Sequence, residues 1–181
     1  TKYPWSVGNG DGYYRSGYDH GHICPSADRL MSFEQNYQTF YLTNMQPQFN
    51  AFNAGIWAKL EKMVRTVAST ADTLYVCKGG TIDEGTWGGY NKIYRTLDNG
   101  LIVPRYFYMA LLRVSKGTYS AIAIWTDQVT NANDTGADMK QYAISIDELE
   151  SRTGIDFFCN LPDQTENAVE KSILPGAWGL Y

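Results

Sequence analysis

The sequence predicts an α+β fold, in which helices pack on a mainly antiparallel sheet, over a single domain of residues 1–181. Three observations support this class. One stretch has apolar residues at helical spacing, a second begins with a helix-capping motif, and several short β-prone runs are separated by turn sequences. Hydrophobic residues make up 44% of the chain, which is enough for one sizeable core. No repeat or low-complexity tract marks a second domain.

The first part of the chain is expected to be irregular. Residues 1–18 contain four glycines, which favour a loop leading into a segment that holds both histidines. The run 39–43 is β-prone, and we expect Pro47 to end that strand because proline cannot donate a ladder hydrogen bond.

The strongest helix prediction covers residues 53 to about 70. Asn50 or Asn53 is expected to cap its start, since a short amide side chain can accept from a free backbone N–H. Five apolar residues lie at helical spacing in this stretch: Ile56, Trp57, Leu60, Val64 and Val67.

The rest of the chain is predicted to hold strands and one more helix. Residues 73–77 are expected to form a buried strand, and the glycine-rich run 78–90 a connection. Asn99-Gly100 favours a tight hairpin between the β-prone runs 91–97 and 101–114, and residues 120–126 indicate a core strand. A capping box from Ser145 to Glu148 begins a helix that Gly154 ends.

Composition limits the function classes. A net charge of −4 and a pI near 5.1 argue against a protein that coats nucleic acid through a broad basic surface. They leave room for an enzyme whose local site handles phosphate with the help of a divalent cation. The 14 tyrosines, five tryptophans and seven phenylalanines suit either core packing or stacking on bases and sugars. No apolar run approaches 18 residues, so no membrane-spanning helix is predicted.

Both histidines of the chain lie in "GYDHGHICPSADR", at positions 20 and 22. Three interpretations compete. His20 and His22 are ordinary surface or core residues, or they bind zinc together with Cys24 or Asp19, or one of them is a general base.

The predicted helix adds a second group of candidates. Asn53, Trp57, Glu61 and Arg65 follow one another in steps of four and drift slowly across one side of the helix. Glu61 lies roughly 12 Å along the axis from Asn53, so the two suit one ion only if Glu61 binds through a metal-bound water. An amide oxygen plus waters is a set that Mg²⁺ accepts, although a helix cap is the simpler role for Asn53.

These residues together resemble the DNA/RNA non-specific endonuclease family. The resemblance rests on Asp-His-Gly-His at 19–22, on Pro25 and Asp28, and on "NMQPQFNAFNAGIWAKLE" at 44–61. It extends to "LYVCKGG", "VPRYFYMALL" and "SIDELESRTGIDFF", which together reach across most of the chain. It implies a ββα-metal, or His-Me finger, fold at the active site. It also implies Mg²⁺-dependent hydrolysis of DNA and RNA with little sequence preference, with 5′-phosphate ends and Mn²⁺ as a substitute ion.

The resemblance also implies roles for individual residues. His22 would be the general base, Asn53 the one direct protein ligand of Mg²⁺, and Glu61 the residue that holds a metal-bound water. Asn44 and Gln48 match polar residues that support the site on the substrate side.

One position departs from the family motif, which usually reads Asp-Arg-Gly-His. Here His20 replaces an arginine, and imidazole cannot reproduce a bidentate guanidinium contact with phosphate. A protonated His20, or Arg15 or Arg29 nearby, is expected to supply the charge. Arg65 falls where the family often has a helix arginine.

The resemblance further implies a secreted or periplasmic enzyme, a compartment compatible with a disulfide such as Cys24–Cys159. The odd count of three cysteines equally suits buried thiols. Two other functions stay open: a non-catalytic module that binds nucleic acid or carbohydrate, and a zinc hydrolase that uses His20 and His22. Whether an inhibitor protein binds the chain is also open.

Overall fold

The structure, a computed structural model, describes residues 11–180. These residues contain ten strands, in the order β1 Asp19–His22, β2 Met45–Gln48, β3 Thr73–Gly80, β4 Thr86–Trp87, β5 Tyr90–Asn91, β6 Ile93–Thr96, β7 Ile102–Pro104, β8 Tyr106–Ser115, β9 Thr118–Asp127 and β10 Ala143–Ile144. The main helices are α1 Phe33–Gln38, α2 at residues 50–68, α3 Ile146–Thr153 and α4 Asp163–Glu170. Helix α2 consists of three consecutive segments: α-helical Asn50–Phe52, π-helical Asn53–Trp57 and α-helical Ala58–Ala68.

The predicted fold class is confirmed. Every strand pair among residues 11–180 is antiparallel, and the largest sheet has the order β10-β9-β8-β3. Smaller two-stranded sheets are formed by β1 with β2, β4 with β5, and β6 with β7.

The central hairpin β8–β9 is buried on both faces. Phe107, Met109 and Leu111 of β8 face α2, while the residues between them face α3 and α4. The strands are therefore almost continuously hydrophobic, as expected for a sheet that is covered on both sides. The layers run helix, sheet, helix. The predicted core strand at 120–126 is confirmed as part of β9.

The prediction of a buried strand at 73–77 is wrong in one respect, the burial. These residues do form a strand, β3, but it is an edge strand, and Tyr75 and Val76 are 55% and 40% exposed. Local sequence indicates extended backbone, whereas position within a sheet depends on pairing with distant strands. The connection predicted for 78–90 is also shorter, because β3 continues to Gly80 and β4 with β5 form a small hairpin.

The strand predicted at 39–43 is wrong. Those residues follow α1 and form turns and a 3₁₀ turn, Leu42–Asn44, and the strand begins only at Met45. Pro47 lies inside this strand, opposite His20, instead of ending it. The β1–β2 sheet has only two strands, and an edge position tolerates a residue without a backbone N–H.

The long helix is confirmed, but its start is not. The first turn begins at Asn50, the N-cap is Phe49, and no side chain caps it, so the prediction that Asn50 or Asn53 is the cap is wrong. Gly55 takes non-helical angles within the π-helical part. Asn53 therefore lies inside the helix.

Three local predictions hold. The hairpin around Asn99-Gly100 joins β6 and β7. Ser145 accepts a hydrogen bond from the Glu148 N–H at the start of α3, which ends at Gly154 in a left-handed conformation. Residues 11–18 form no strand or helix, while residues 1–10 of the predicted loop lie outside the described residues.

The structure does not contain the Cys24–Cys159 disulfide that was considered for a secreted enzyme. Cys24, Cys77 and Cys159 are all free thiols, and the last two are exposed, so they are not three buried thiols either. Across residues 11–180, the longest apolar helix falls short of what a membrane crossing requires.

Candidate active site

The candidate site is built on a ββα unit. β1 and β2 pair so that His20 lies opposite Pro47 and His22 opposite Met45, and α2 follows β2 directly. Between the two histidines, Gly21 packs so closely on β2 that an added Cβ would meet the Gln48 side chain at 2.4 Å. The unit brings the histidine segment and the start of α2 together, as predicted.

Asp19 ties the first strand to the helix. Its Oδ2 accepts hydrogen bonds from Asn53 Nδ2 at 2.9 Å and from Asn50 Nδ2 at 3.0 Å. Because the amide nitrogen of Asn53 makes this bond, its Oδ1 is the ligand atom that remains, and no residue among 11–180 donates to it. The Asp19 contact therefore fixes the orientation of Asn53 while leaving its oxygen available.

His22 is half-buried, with its ring against the edge of Phe40 at a centroid distance of 5.3 Å. Burial lowers the pKa of His22, a hydrogen bond with the backbone of His20 raises it, and the charges of His20 and Lys78 lower it further. Nε2 is buried and has no hydrogen-bond partner within residues 11–180. A histidine with a lowered pKa is neutral at neutral pH, so its free nitrogen can act as a base.

Glu61 lies on α2 beside a buried lysine. Lys78 Nζ donates to Glu61 Oε1 at 3.3 Å. Burial raises the pKa of Glu61, and the charge and hydrogen bond of Lys78 lower it. One turn further along α2, Arg65 Nη1 donates to Asp28 Oδ1 at 3.0 Å. Glu61 is thus joined to β3, and Arg65 to the 3₁₀ turn Ser26–Asp28 that follows β1.

His20 is held by a residue that the sequence analysis missed. Its Nε2 lies 2.9 Å from Asp11 Oδ2, and its ring stacks on Tyr13 at 4.2 Å between centroids. The partner of the His20 ring nitrogen is therefore a carboxylate of this chain. No local pattern marks Asp11, because the pairing partner lies nine residues away in an irregular segment.

The two arginines proposed near the motif are both exposed. Arg15 lies over the ring of Tyr14, with its guanidinium carbon 5.1 Å from the centroid, in a surface groove shared with Arg95. Arg29 follows the 3₁₀ turn Ser26–Asp28. Neither makes an ion pair with another described residue.

Asn44 and Gln48 are placed differently from one another. The side chain of Asn44 hydrogen-bonds to backbone groups. Its Oδ1 accepts from Cys24 N–H at 2.9 Å, and its Nδ2 donates to the carbonyls of Cys24 and Thr39 at 2.9 and 2.7 Å. This clamp holds the segment that follows His22. Gln48 is fully buried beneath Gly21.

Gln128, a second residue missed from the sequence, joins three elements. It is fully buried at the end of β9, its Oε1 accepts from Phe49 N–H at 2.8 Å, and its Nε2 donates to the carbonyls of Pro104 and Pro47. These contacts anchor the turn between β2 and α2, next to the first turns of the helix, which carry Asn50 and Asn53.

The donors near the start of α2 suit a hard cation. Asn53 Oδ1, Asp19 and Glu61 offer oxygen only, the ligand type that Mg²⁺ prefers. The zinc alternative requires nitrogen or sulfur ligands to converge, and residues 11–180 bring His20, His22 and Cys24 to no common point. Within residues 11–180, the three side chains of metal-ligand type that do lie close together are on the α3–α4 face: Asp147, Glu150 and Glu170.

Comparisons with known proteins show which family the chain resembles. The model of the DNA/RNA non-specific endonuclease family matches residues 5–164. The chain is 31% identical to a nuclease from Nostoc sp. over 167 residues, covering 89% of this chain and 58% of that protein. It is 31% identical to nuclease C1 from Cunninghamella echinulata, covering 84% and 62%, and 29% identical to mitochondrial endonuclease G from Homo sapiens, covering 82% and 51%.

A crystal structure of the EndoG/EndoGI complex matches 87% of this chain and 66% of the matched chain, with a TM-score of 0.75 and 26% identity. The chain spans about half to three fifths of the length of the three curated relatives. A family model that covers residues 5–164, together with these relatives, shows that the chain belongs to the DNA/RNA non-specific endonuclease family.

Proposed function

We propose that this chain is a single endonuclease domain that hydrolyses phosphodiester bonds of DNA and RNA with little sequence specificity, leaves 5′-phosphate ends and depends on Mg²⁺, with Mn²⁺ as a substitute. The observation that carries the proposal is the position of two groups on one short strand. His22 presents a buried, unpartnered Nε2, and Asp19 holds Asn53 with its amide oxygen free.

His22 acts as the general base. Hydrolysis needs a water whose proton is taken as it attacks phosphorus, and Nε2 accepts that proton. A positioned base of this kind contributes about 10²–10⁴-fold in rate. The hydrogen bond with the His20 backbone and the contact with Phe40 fix the ring, so that the nitrogen keeps one direction.

Asn53 Oδ1 would hold the ion directly, and Glu61 would hold it through water. When bound, Mg²⁺ supplies Lewis-acid stabilisation of the phosphate and the leaving 3′ oxygen. Asp19 keeps the amide of Asn53 oriented, and Asn50 shares the same carboxylate oxygen. Because the ion brings positive charge, a chain with a net charge of −4 can still bind nucleic acid.

Arg15, Arg29 and Arg65 provide cationic groups for the sugar-phosphate backbone around this centre. Contacts with phosphates carry no base information, which accounts for low sequence specificity and for acceptance of both DNA and RNA. A secreted or periplasmic location is part of the proposal. The matched EndoG structure holds an inhibitor, EndoGI, which makes a protein inhibitor a partner class to test.

The test is incubation of supercoiled plasmid and of a structured RNA with the purified protein, with Mg²⁺ or with EDTA. We expect both substrates to be cut only with Mg²⁺, and the His22→Ala protein to be at least about 100-fold slower. Binding of either substrate without any cleavage would instead indicate a non-catalytic module. Activity that EDTA removes and only Zn²⁺ restores would indicate a zinc hydrolase.

A further inference from the structure

We propose that Lys78 is a further substrate-binding residue, whose ammonium group donates to a phosphate oxygen of the nucleic acid next to His22 and Glu61. This inference rests on the proposed function and extends it to a residue on β3, an element that the motifs near His22 and Asn53 do not include.

The fold buries this lysine between β3 and α2. Only 4% of its side chain is exposed, and Nζ lies 5.8 Å from the centroid of the Trp57 ring. Transfer of an ammonium group out of water is costly unless ionic and polar partners replace the lost hydration. The position of Lys78 therefore requires strong partners.

The described partners do not fill its capacity. An ammonium group has three donors, and Glu61 Oε1 is the one acceptor that residues 11–180 provide for Nζ. That contact is 3.3 Å long, whereas a charge-assisted N–H···O bond is usually about 2.7–2.9 Å. The site thus has donors for a second anion besides Glu61.

A cavity of about 130 Å³ lies next to Lys78. Its wall includes Ile23, Cys24 and Pro25, the residues that follow His22 directly, as well as Val76 and Asp28. At roughly 30 Å³ per water molecule, it has room for several heavy atoms. A phosphate that enters this cavity would lie between Lys78 and the residues that follow His22 in the chain.

The other basic side chains around the motif either contact a carboxylate or, like Arg15 and Arg29, are exposed on the surface. His20 is paired with Asp11, and Arg65 with Asp28. Because His20 replaces the usual motif arginine and faces its own carboxylate, Lys78 is the buried cation beside His22 that is free to share its charge with substrate.

The test measures binding without cleavage. In a His22→Ala background with Mg²⁺ present, the affinity for a fluorescein-labelled DNA duplex is followed by anisotropy between 50 and 300 mM KCl, where log Kd is linear in log salt. Lys78→Gln keeps a donor for Glu61 but removes the charge. We expect its Kd to rise about tenfold or more, and the salt slope to fall by about 0.9, the change for one lost phosphate contact.

Lys116→Gln is the matched control. Lys116 is exposed at the β8–β9 turn and its N–H binds Asp72, at the other end of β3, so the slope is expected to stay unchanged. Lys78→Arg keeps the charge and is expected to keep the slope. If Lys78→Gln does not fold, Lys78→Met also removes the charge while keeping an unbranched side chain, and it is expected to show the same loss of slope.

An unchanged slope in folded Lys78 variants would overturn this inference. So would an equal loss of slope in Lys116→Gln. Cleavage by the wild-type protein with Mg²⁺ is measured separately, so either result would leave the nuclease proposal standing.

Discussion

The behaviour of His22 depends on its surroundings. The ring is half-buried and lies against Phe40, its backbone contact is with His20, and Lys78 adds positive charge nearby. The packing against Phe40 and the hydrogen bond with the His20 backbone fix the ring. Burial and the positive charge of Lys78 favour the neutral form of the imidazole. The surroundings of His22 therefore favour a neutral imidazole ring in a fixed orientation.

This predicts the acid limb of the pH profile. Because the pKa of His22 is lowered from its ordinary value of 6.5, kcat/KM is expected to rise with pH through a midpoint below 6.5. Phe40→Ala removes part of the burial and is expected to move the midpoint upward, while Tyr119→Ala, an exposed aromatic residue on β9, is expected to leave it unchanged. A midpoint at or above 6.5 in the wild-type protein would contradict this account.

A second prediction concerns the glycine between the histidines. Gly21→Ala places a Cβ 2.4 Å from Gln48 Cδ, and the fully buried Gln48 has little room to move. We expect a loss of about 1–3 kcal/mol in the free energy of unfolding, measured in urea, and a loss of activity as β1 shifts. Gly176→Ala, whose Cβ meets nothing within 4 Å, is the control and is expected to change neither. Equal stability of the two variants would show that β1 and β2 are less tightly packed.

Candidate site residues are recognisable from sequence where a short motif contains them. His22, Asn53 and Glu61 were recognisable in this way. Asp11 and Lys78 were not, because their importance comes from contacts with residues 9 and 17 positions away rather than from a pattern of their own.

At the scale of elements, the start of α2 is defined by its neighbours and not by a cap. The N-cap position is Phe49, whose side chain makes no capping bond. Its N–H donates instead to Gln128 from the end of β9. The contact between β9 and the β2–α2 turn thus positions the helix end that carries Asn53.

We predict that Gln128→Met, which conserves volume, leaves the Phe49 N–H and the carbonyls of Pro47 and Pro104 without partners. The expected cost is about 1–3 kcal/mol in the free energy of unfolding, with a larger Mg²⁺ requirement as Asn53 loses its fixed position. Gln164→Met, exposed on α4, is the control. Wild-type stability and Mg²⁺ dependence in Gln128→Met would show that the helix end is positioned by other contacts.

Elements with local signals were predictable, and elements set by long-range pairing were less so. The capping box at Ser145 and the turn at Gly100 predicted α3 and the β6–β7 hairpin correctly. The exposure of β3 and the inclusion of Pro47 in β2 depend on which strands pair with them, which their own residues do not specify.

At the scale of the whole molecule, the excess of negative charge is concentrated partly on the α3–α4 face. Asp147, Glu150 and Glu170 bring carboxylate oxygens within 4.8 Å of one another. Burial, followed by the charges of neighbouring carboxylates with Glu150 first among them, raises the pKa of Glu170 to about 7. The site proposed for phosphate lies on the other side of the sheet, with α2.

This predicts a pH-dependent stability. The folded pKa of Glu170 lies above its ordinary value of 4.5, so between about pH 4.5 and 7 the unfolded chain releases its proton first and stability falls as pH rises. Glu170→Gln is therefore expected to stabilise the protein by about 1–2 kcal/mol at pH 8 and by much less at pH 4.5. Glu84→Gln, at an exposed site, is the control. A gain that is equal at both pH values would contradict the prediction.

The most direct measurement of the central claim is chemical rescue of the base. His22→Ala leaves space for a free imidazole, so added imidazole is expected to restore DNA cleavage, with a rate that follows the neutral fraction of imidazole as pH rises. Asn53→Ala, which lacks the ligand rather than the base, is expected to show no rescue. If His22→Ala cleaved DNA at the wild-type rate without imidazole, His22 would not be the general base.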